Sequence, residues 1–327
     1  MKTTNRNWPI IQLAIIFTIF PILVIACEQE PEPIRIGVVN YLPAMDQVFV
    51  GFKQGMQDDF GYEEDVDVIY VYDGPAPTTD DLLPVAENLV NEEVDLILAF
   101  STVASIATKE AIEGTDIPVI FAPVTDPEGS GLVGEGINMT GITNGGSDRK
   151  RMEWVVDIIP DAEVIFVPYN PNPSAVSALA EVREAAEELD LVLIERPVDE
   201  DEDMLKVLDD MPEEADVIFI LPDIITLAEV PTFYQATIND NIPIVSVVTA
   251  SVEEGALFSF GIDFNAAGHQ AARMADQILR GNSTVNDLPV EPTDFFLDIN
   301  LETADLIGLE IPDEILEQAR QIYRASE

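Results

Sequence analysis

Short apolar runs alternate with amphipathic stretches along most of the chain, and the clearest example lies within its first half. Residues 96–100 (LILAF) form an unalternated apolar run, which is typical of a parallel strand buried on both faces. Ser101 and Thr102 end this run and can cap a helix predicted at 103–112, because a hydroxyl accepts a hydrogen bond from a free N–H in the first turn. A second buried strand is predicted at 118–121. Two adjacent strand ends with small polar residues predict a ligand crevice of the kind found in open α/β sheets.

The same alternation continues through the body of the chain and predicts an α/β fold with parallel strands between helices. A glycine-rich stretch at 129–146 predicts a short strand or two, followed by a crossing into a second α/β half. The strands are predicted at 34–39, 66–71, 96–100, 118–121, 163–167, 191–195, 216–221, 243–247, 256–261 and 295–299. The helices are predicted at 48–56, 82–91, 103–112, 148–159, 175–189, 203–211 and 266–279, with two more that begin at Pro231 and Pro312.

Length and charge narrow the class of protein. The chain has 327 residues, of which 47% are hydrophobic, and this suits two domains of about 100–150 residues each. With 62 acidic against 15 basic residues the formal net charge is −47, which excludes nucleic acid as a partner because the phosphate backbone would be repelled. So acidic a surface suits a protein that works in high salt, and an acidic lineage or an acidic external medium is the alternative. Unfolding measured with and without molar salt separates the two.

The first 27 residues have the pattern of a secretory signal. Lys2 and Arg6 precede a nearly uninterrupted apolar run at 8–26, and the only cysteine of the chain, Cys27, follows directly. This arrangement resembles the bacterial lipobox, in which the cysteine is lipidated and becomes the first residue after cleavage. An uncleaved membrane anchor is the alternative, since about 19 apolar residues are almost enough to cross a bilayer. We therefore expect a lipoprotein signal peptide at 1–27, a short acidic tether at 28–33, and a body tethered outside the cytoplasm.

Nine short segments of the body carry a family resemblance. They are IFAPVTDP (120–127), GLV (131–133), NMTG (138–141), PDA (160–162), YN (169–170), GAL (255–257), GID (261–263), LRG (279–281) and DLPV (287–290). In this order and spacing they resemble a bacterial family of ABC-transporter substrate-binding lipoproteins that includes tryptophan- and tyrosine-type binding proteins.

The resemblance implies a type I periplasmic-binding-protein fold, in which two Rossmann-like lobes with parallel sheets are joined by three hinge crossings. A small ligand is trapped as the lobes close. Lobe one would comprise 34–142 plus 264–292, and lobe two 143–263 plus 293–327. The crossings would lie near 141–147, 261–265 and 291–295.

In that fold the carboxyl ends of the strands line the cleft, and here they supply eleven candidate ligand-binding residues. These are Asn40, Tyr41, Ser101, Thr102, Val124, Thr125, Tyr169, Asn170, Asp223, Val248 and Thr249. Ser101 and Thr102 suit a carboxylate or another electron-rich group, because N–H donors and the helix dipole converge at a helix start. An ordinary helix cap is the other interpretation, and the two are compatible.

The remaining candidates indicate the ligand less directly. Asp223 matches the position where amino-acid-binding relatives carry an acid that pairs with an ammonium, and a turn residue is the alternative. Tyr41 and Tyr169 could stack on a planar ligand or pack in the core or rim. Val248 stands where relatives often have an acid, which favours a more apolar compound. No lysine or arginine lies at a predicted strand end, so a multiply charged anion is disfavoured, although the basic residues at 149–151 could reach the cleft from beyond the first crossing.

The sequence gives little support for a catalytic function. His269 is the only histidine, so the usual zinc ligand set cannot be assembled without a second histidine or cysteine. A nucleophile–histidine–acid triad would need His269 beside a serine, and no GxSxG motif accompanies it. We expect no metal and no cofactor. The expected function is an extracytoplasmic solute-binding lipoprotein that delivers a small molecule to an ABC transporter permease. The alternatives are a sensing module for a membrane receptor or kinase and, less favoured, an extracellular hydrolase.

Overall fold

The computed structural model describes Met1 and residues 32–199 and 202–324 of the chain. Residues 33–327 belong to one compact unit. The predictions for the signal peptide, for Cys27 and for most of the tether lie outside the described residues. Within the described ranges, no helix is both long enough and apolar enough to span a bilayer.

Strands and helices alternate through this unit, as the hydrophobic pattern predicts. The strands are β1 (Ile34–Val39), β2 (Val68–Val71), β3 (Leu96–Ala99), β4 (Val119–Val124), β5 (Met139–Thr143), β6 (Val164–Tyr169), β7 (Val192–Pro197), β8 (Val217–Phe219), β9 (Ile244–Val248), β10 (Phe258–Ile262), β11 (Glu291–Pro292), β12 (Phe295–Asn300) and β13 (Gln321–Tyr323). The helices are α1 (Asp46–Asp58), α2 (Leu82–Asn91), α3 (Thr102–Ala111), α4 (Ser147–Ile158), α5 (Pro173–Glu188), α6 (Met204–Leu208), α7 (Ile224–Leu227), α8 (Val230–Thr237), α9 (Phe264–Leu279), α10 (Leu301–Ile307) and α11 (Asp313–Leu316).

These strands form two sheets. The first has the order β11-β5-β4-β3-β1-β2 and is parallel throughout, and the second has the order β13-β12-β10-β9-β8-β6-β7. Both faces of the first sheet are buried, since Leu96 and Leu98 of β3 pack on one face while Ile97 and Ala99 pack on the other. This two-sided burial explains why the strands are unalternated apolar runs.

The second sheet departs from the predicted parallel arrangement at one pair. β12 runs antiparallel to β10, whereas β13 is parallel to β12. β12 enters the second sheet directly from β11 of the first, after only Thr293 and Asp294, with no crossover helix to reverse its direction. The chain passes between the sheets at this point, between β5 and α4, and between β10 and α9. The limits of the two lobes remain a prediction.

The pattern also missed or misplaced elements near the C-terminus. α10, β11 and β13 were not predicted, nor was α7 further upstream, and the helix expected after Pro312 ends at Leu316. The start of α10 has a local signal, because the Asn300 side chain accepts a hydrogen bond from Thr303 N and Gly308 closes the helix with a left-handed backbone. Such short helices bury too few residues to give a clear period.

Helices α1 and α9, which both contribute to the core of the first sheet, pack unusually closely against each other. A Cβ atom placed on Gly51 would lie 2.0 Å from the carbonyl oxygen of Asn265, and one on Gly268 would lie 2.1 Å from that of Val48. The two backbones therefore touch where both helices have glycine. This contact holds α9, which follows the second sheet in the chain, against the first sheet.

Candidate functional site

A cavity of about 510 Å³ lies between the carboxyl ends of the two sets of strands. Its wall on the first-sheet side is built from the segment after β1, the start of α3 and the end of β4. On the second-sheet side it is built from the start of α5, the segments after β8 and β9, and the end of β10. The lining residues are Tyr41, Leu42, Pro43, Ala44, Met45, Gln47, Ser101, Val103, Pro123, Thr125, Asn144, Asn172, Ser174, Pro222, Asp223, Ile224, Leu227, Ala228, Val247, Val248, Ala250, Ser251, Glu254, Ile262 and Phe264.

The eleven predicted residues divide into two groups at this cavity. Those that line it are Tyr41, Ser101, Thr125, Asp223 and Val248. Those that do not are Asn40, Thr102, Val124, Tyr169, Asn170 and Thr249. Whether any of the eleven contacts a ligand remains a prediction, although the structure brings both groups to the carboxyl ends of the strands.

The polar end of the cavity lies where two long helices begin. Ser101 caps α3 through Ala104 N (3.4 Å), and Asn172 caps α5 through Ala175 N (3.0 Å). Ser174, in the first turn of α5, also lines the cavity. Because α3 and α5 belong to different halves, two helix N-termini reach one cavity from opposite sides. Free N–H groups and helix dipoles favour an anionic group there.

The backbone at Ser101 has an uncommon conformation, with φ 81° and ψ 161°. This region is populated almost only by glycine and costs about 1–3 kcal/mol for other residues. The conformation persists because the next residues start α3, and because Ser105 donates both its N–H (3.1 Å) and its Oγ–H (2.7 Å) to the carbonyl of Ser101. Strain of this kind is concentrated at ligand-contacting sites.

Asp223 lies in the wall with its carboxylate already hydrogen-bonded. Oδ1 accepts from Ile225 N (3.0 Å) and Thr226 N (3.0 Å), while Oδ2 accepts from Thr226 Oγ1 (2.6 Å) and Asn170 N (3.3 Å). Burial raises the pKa of Asp223, against the lowering effect of these bonds. Four donors match the acceptor sites of a carboxylate, so a ligand ammonium would share or replace one of them. Asp223 is the N-cap residue of α7, so the position of its side chain is explained without a ligand.

Glu254 is a second carboxylate in the lining, and the sequence reasoning did not single it out. It is exposed at the edge of the cavity, and partial burial together with Glu253 raises its pKa. Among the described lining residues none is lysine, arginine or histidine. The cavity therefore combines an apolar wall with two acids and with helix N-termini.

Asn40 supports the wall without lining it. Its Nδ2 donates to Leu42 O (3.0 Å) and Asp46 Oδ1 (3.1 Å), and its Oδ1 accepts from Leu42 N (2.9 Å). Tyr72 also donates to Asp46. The pKa of the Tyr72 phenol is raised mainly by burial and next by this hydrogen bond. This buried network fixes the segment between β1 and α1, which carries Tyr41 and the next lining residues.

Three of the other non-lining candidates are held by core packing or by a hydrogen bond. Tyr169 is 8% exposed and packs in the core of the second sheet, so the packing alternative describes its position. Asn170 donates its side-chain N–H to Val198 O (3.1 Å). Thr102 Oγ1 lies 2.8 Å from Ser174 Oγ on the opposite half.

Arg151 does not line the cavity. Its side chain is fully buried, pairs with Asp148 one turn earlier, and lies with Cζ 4.1 Å from the ring centre of Phe219. Burial lowers the pKa of Arg151 to about 10 and raises the pKa of Asp148. The contact with Phe219 of β8 therefore anchors α4 on the second sheet. Removing either Arg151 or Asp148 would leave the other charge buried alone.

Several lining residues escaped the sequence reasoning. Asn172 followed by Pro173 is a helix-start signal that could have located the α5 terminus. Asn144 is 6% exposed, and its Oδ1 has no hydrogen-bond partner among the described residues. Glu254 and Phe264 follow strands of the second sheet. Among the described residues, no cluster of three histidine, cysteine or acidic side chains could hold a metal.

Comparison with known proteins identifies the family. A family model described as ABC transporter substrate binding protein matches residues 34–323. The chain belongs to this family. The structure and its neighbours also confirm the type I periplasmic-binding-protein fold, with its two mostly parallel sheets.

Three relatives of this substrate-binding protein span most of its length. A tyrosine-binding protein from Clostridioides difficile (strain R20291) is 28% identical over 274 residues, covering 82% of this chain and 78% of the relative. A solved structure of an ABC domain in complex with L-Trp from Streptococcus pneumoniae is 26% identical with a TM-score of 0.81, covering 89% of this chain and 99% of that one. A leucine-binding protein from Thermotoga maritima, 14% identical with a TM-score of 0.60 over 76% of this chain and 84% of its own, shares the fold alone.

Proposed function

We propose that this protein captures an amino acid with a large apolar side chain outside the cytoplasm and delivers it to an ABC importer. The observation that carries this proposal is the cavity itself, which is bounded by both halves and has an apolar wall beside two helix N-termini. Its volume of about 510 Å³ falls in the range of small-molecule sites. The ligand is bound and released without chemical change.

Polar and apolar groups around the cavity suit the parts of such a ligand. Its carboxylate would lie near Ser101 and Ser174, where N–H groups and helix dipoles favour negative charge. Its ammonium would lie near Asp223 or Glu254, the two lining acids. The relatives named above as binding tyrosine and L-Trp support an aromatic side chain. An apolar wall with Val248 in place of an acid supports a large apolar body.

Binding would draw the two halves together, because the ligand contacts both. A ligand can shift a conformational equilibrium only by its difference in affinity for the two states, and a compound that touches both walls has that difference. Closure of the two halves about the three chain passages is then hinge motion.

We further propose that Cys27 carries a lipid anchor and that residues 28–33 tether the body to the membrane. The basic start, apolar run and single cysteine support this. The acidic body would then lie on the outer side of the membrane, where the permease receives the ligand.

Thermal unfolding of residues 33–327 tests the ligand class. A ligand at 100 times its Kd adds about 2.7 kcal/mol, which raises Tm by about 5–10 °C. We expect this shift with L-tryptophan, L-tyrosine or L-phenylalanine, and less with benzoate or indole, which lack the ammonium. A chain stabilised by none of these compounds would contradict the proposed function.

Variants of the two acids separate their roles. Asp223→Asn removes the charge and keeps the cap of α7, since Asn is also a good N-cap residue, although its Nδ2 cannot accept from Asn170 N as Oδ2 does. If an ammonium contacts either acid, Asp223→Asn or Glu254→Gln weakens binding of L-tryptophan more than that of a compound without the ammonium. Glu253→Gln is the matched control, because Glu253 is exposed next to Glu254 and does not line the cavity.

A further inference from the structure

One face of α5 carries a row of polar side chains, two of which contact the first-sheet half while the third contacts the chain passage before α4. Ser174, Ser177 and Glu181 lie three and four residues apart, so they share one face of the helix. Ser174 Oγ lies 2.8 Å from Thr102 Oγ1, Ser177 Oγ donates to Asp126 Oδ2 (3.5 Å), and Glu181 Oε1 accepts from Gly146 N (3.2 Å). The row runs from the cavity wall at Ser174 to the chain passage at Gly146. We call Ser174, Ser177 and Glu181 the seam of α5.

A polar seam is easily opened. Hydroxyl and carboxylate groups that separate can bond to water instead, so these hydrogen bonds add little net free energy to the closed form. An apolar contact would lose buried area on opening. The seam therefore lets the halves come together and separate without a large barrier of its own.

Negative charge collects on both sides of the seam. Asp126 follows β4 on the first-sheet side, and Glu181 lies on α5 on the second-sheet side, one helical turn after Ser177, which contacts Asp126. Burial, with Asp148 and Asp126, raises the pKa of Glu181, whereas the Gly146 N–H and Arg149 oppose the rise. Arg149 is itself engaged by Glu184 and Glu188, and Arg151, which Glu181 also attracts, is paired with Asp148. The nearby cations therefore leave the acids of the seam incompletely balanced.

We propose that Glu181 and Asp126 repel each other across the seam and thereby lower the affinity for the ligand in a salt-dependent way. This inference rests on the proposed function, in which binding closes the two halves. The ligand must provide the free energy that brings the two carboxylates together. Its apparent affinity therefore falls by the factor by which the repulsion lowers the population of the closed form. Salt reduces the repulsion, because the screening length shrinks from about 10 Å at 0.1 M to about 3 Å at 1 M.

The test compares Glu181→Gln with Glu187→Gln in residues 33–327, with L-tryptophan as the probe. Glutamine at 181 can still accept from Gly146 N, but it carries no charge. Glu187 lies on the exposed side of the same helix and is the matched control. By calorimetry at 0.1 M NaCl, Glu181→Gln should lower Kd by about fivefold, because it removes one of two partly screened charges that repel each other. At 1 M NaCl the difference should fall below about twofold. Equal Kd values for the two variants, or a difference unchanged by salt, would overturn the inference.

A distance measurement separates failure of the seam from failure of the ligand assignment. Cys27 is the only cysteine of the chain, so spin labels at Val66→Cys and Leu205→Cys, one exposed position in each half, report closure without interference. Glu181→Gln should shift the ligand-free distances towards the closed form, and Ser177→Ala should shift them away, because it removes the bond to Asp126. If the distances shift but L-tryptophan does not bind, the ligand assignment is wrong, whereas the repulsion across the seam is supported. If L-tryptophan binds and neither variant shifts the distances, the seam fails.

Discussion

The contact between α1 and α9 predicts an unequal response to two similar substitutions. Gly51→Ala and Gly55→Ala change the same helix in the same way, and each gains up to about 1 kcal/mol of helix propensity. The added Cβ at 51 would lie 2.0 Å from the Asn265 carbonyl oxygen, whereas at 55 it would lie 2.8 Å from the Ala272 methyl. Real Cβ contacts start near 3.0 Å, so α9 must move by about 1 Å in the first case and by a few tenths of an ångström in the second.

The energies follow from these displacements. Overpacking a tight contact costs about 1–3 kcal/mol, and a gap of about 1 Å around the shifted helix forfeits up to half of the affected dispersion contacts. We therefore expect Gly51→Ala to destabilise residues 33–327 by about 1–2 kcal/mol, or about 3–6 °C in Tm. Gly55→Ala should stay within about 0.5 kcal/mol of the parent, because the propensity gain offsets its smaller clash.

Chemical and thermal unfolding of both variants is the assay, and a ligand titration extends it to function. Phe264, in the first turn of α9, lines the cavity next to the displaced Asn265. Gly51→Ala should therefore also weaken binding of L-tryptophan, whereas Gly55→Ala should not. Equal stability of the two variants would refute the close-contact reasoning, since it would mean that α9 accommodates the methyl group without cost.

Two further predictions concern Ser101 and Cys27. Ser101→Gly should raise the free energy of unfolding by about 1 kcal/mol, because glycine adopts the strained backbone freely and caps helices almost as well as serine. Ser101→Ala should lower it by about 1 kcal/mol through loss of the cap, and an order reversed in equilibrium unfolding would contradict the strain. The full chain expressed in a bacterial host should partition with the membrane fraction and show acyl mass on Cys27, whereas Cys27→Ser should lose the acyl mass; an unmodified Cys27 would contradict the anchor.

Sequence periodicity predicted β1 to β4 of the first sheet well because burial on two faces leaves a strong apolar run, as at Leu96–Ala99, whereas β11 was not predicted. It predicted strand ends as the place of the site, and Ser101 and Asp223 do line the cavity. It could not separate lining residues from supporting ones. Asn40 and Tyr169 also follow or end strands, but their orientation depends on neighbours such as Asp46 and the second-sheet core.

Local sequence patterns could not predict the contacts made between the two halves. Ser174 and Thr102 are 72 residues apart, and no local pattern connects them. Glu254 and Phe264 were missed for a related reason, since each becomes part of the cavity only when the two halves face one another. The antiparallel entry of β12 likewise depends on where the preceding strand lies, and not on its own residues.

The partnership of α1 with α9 also constrains how the polypeptide is made. The apolar face of α1 carries Val48, Phe52 and Met56, and the cluster that buries it is completed by a helix that begins at Phe264, more than two hundred residues later. The edge strand β11 is added later still, at Glu291. A nascent or partly exported chain thus exposes this apolar face until nearly all of it has emerged. Non-local closure of this kind slows folding, and we expect both halves to reach their native state together, after export is almost complete.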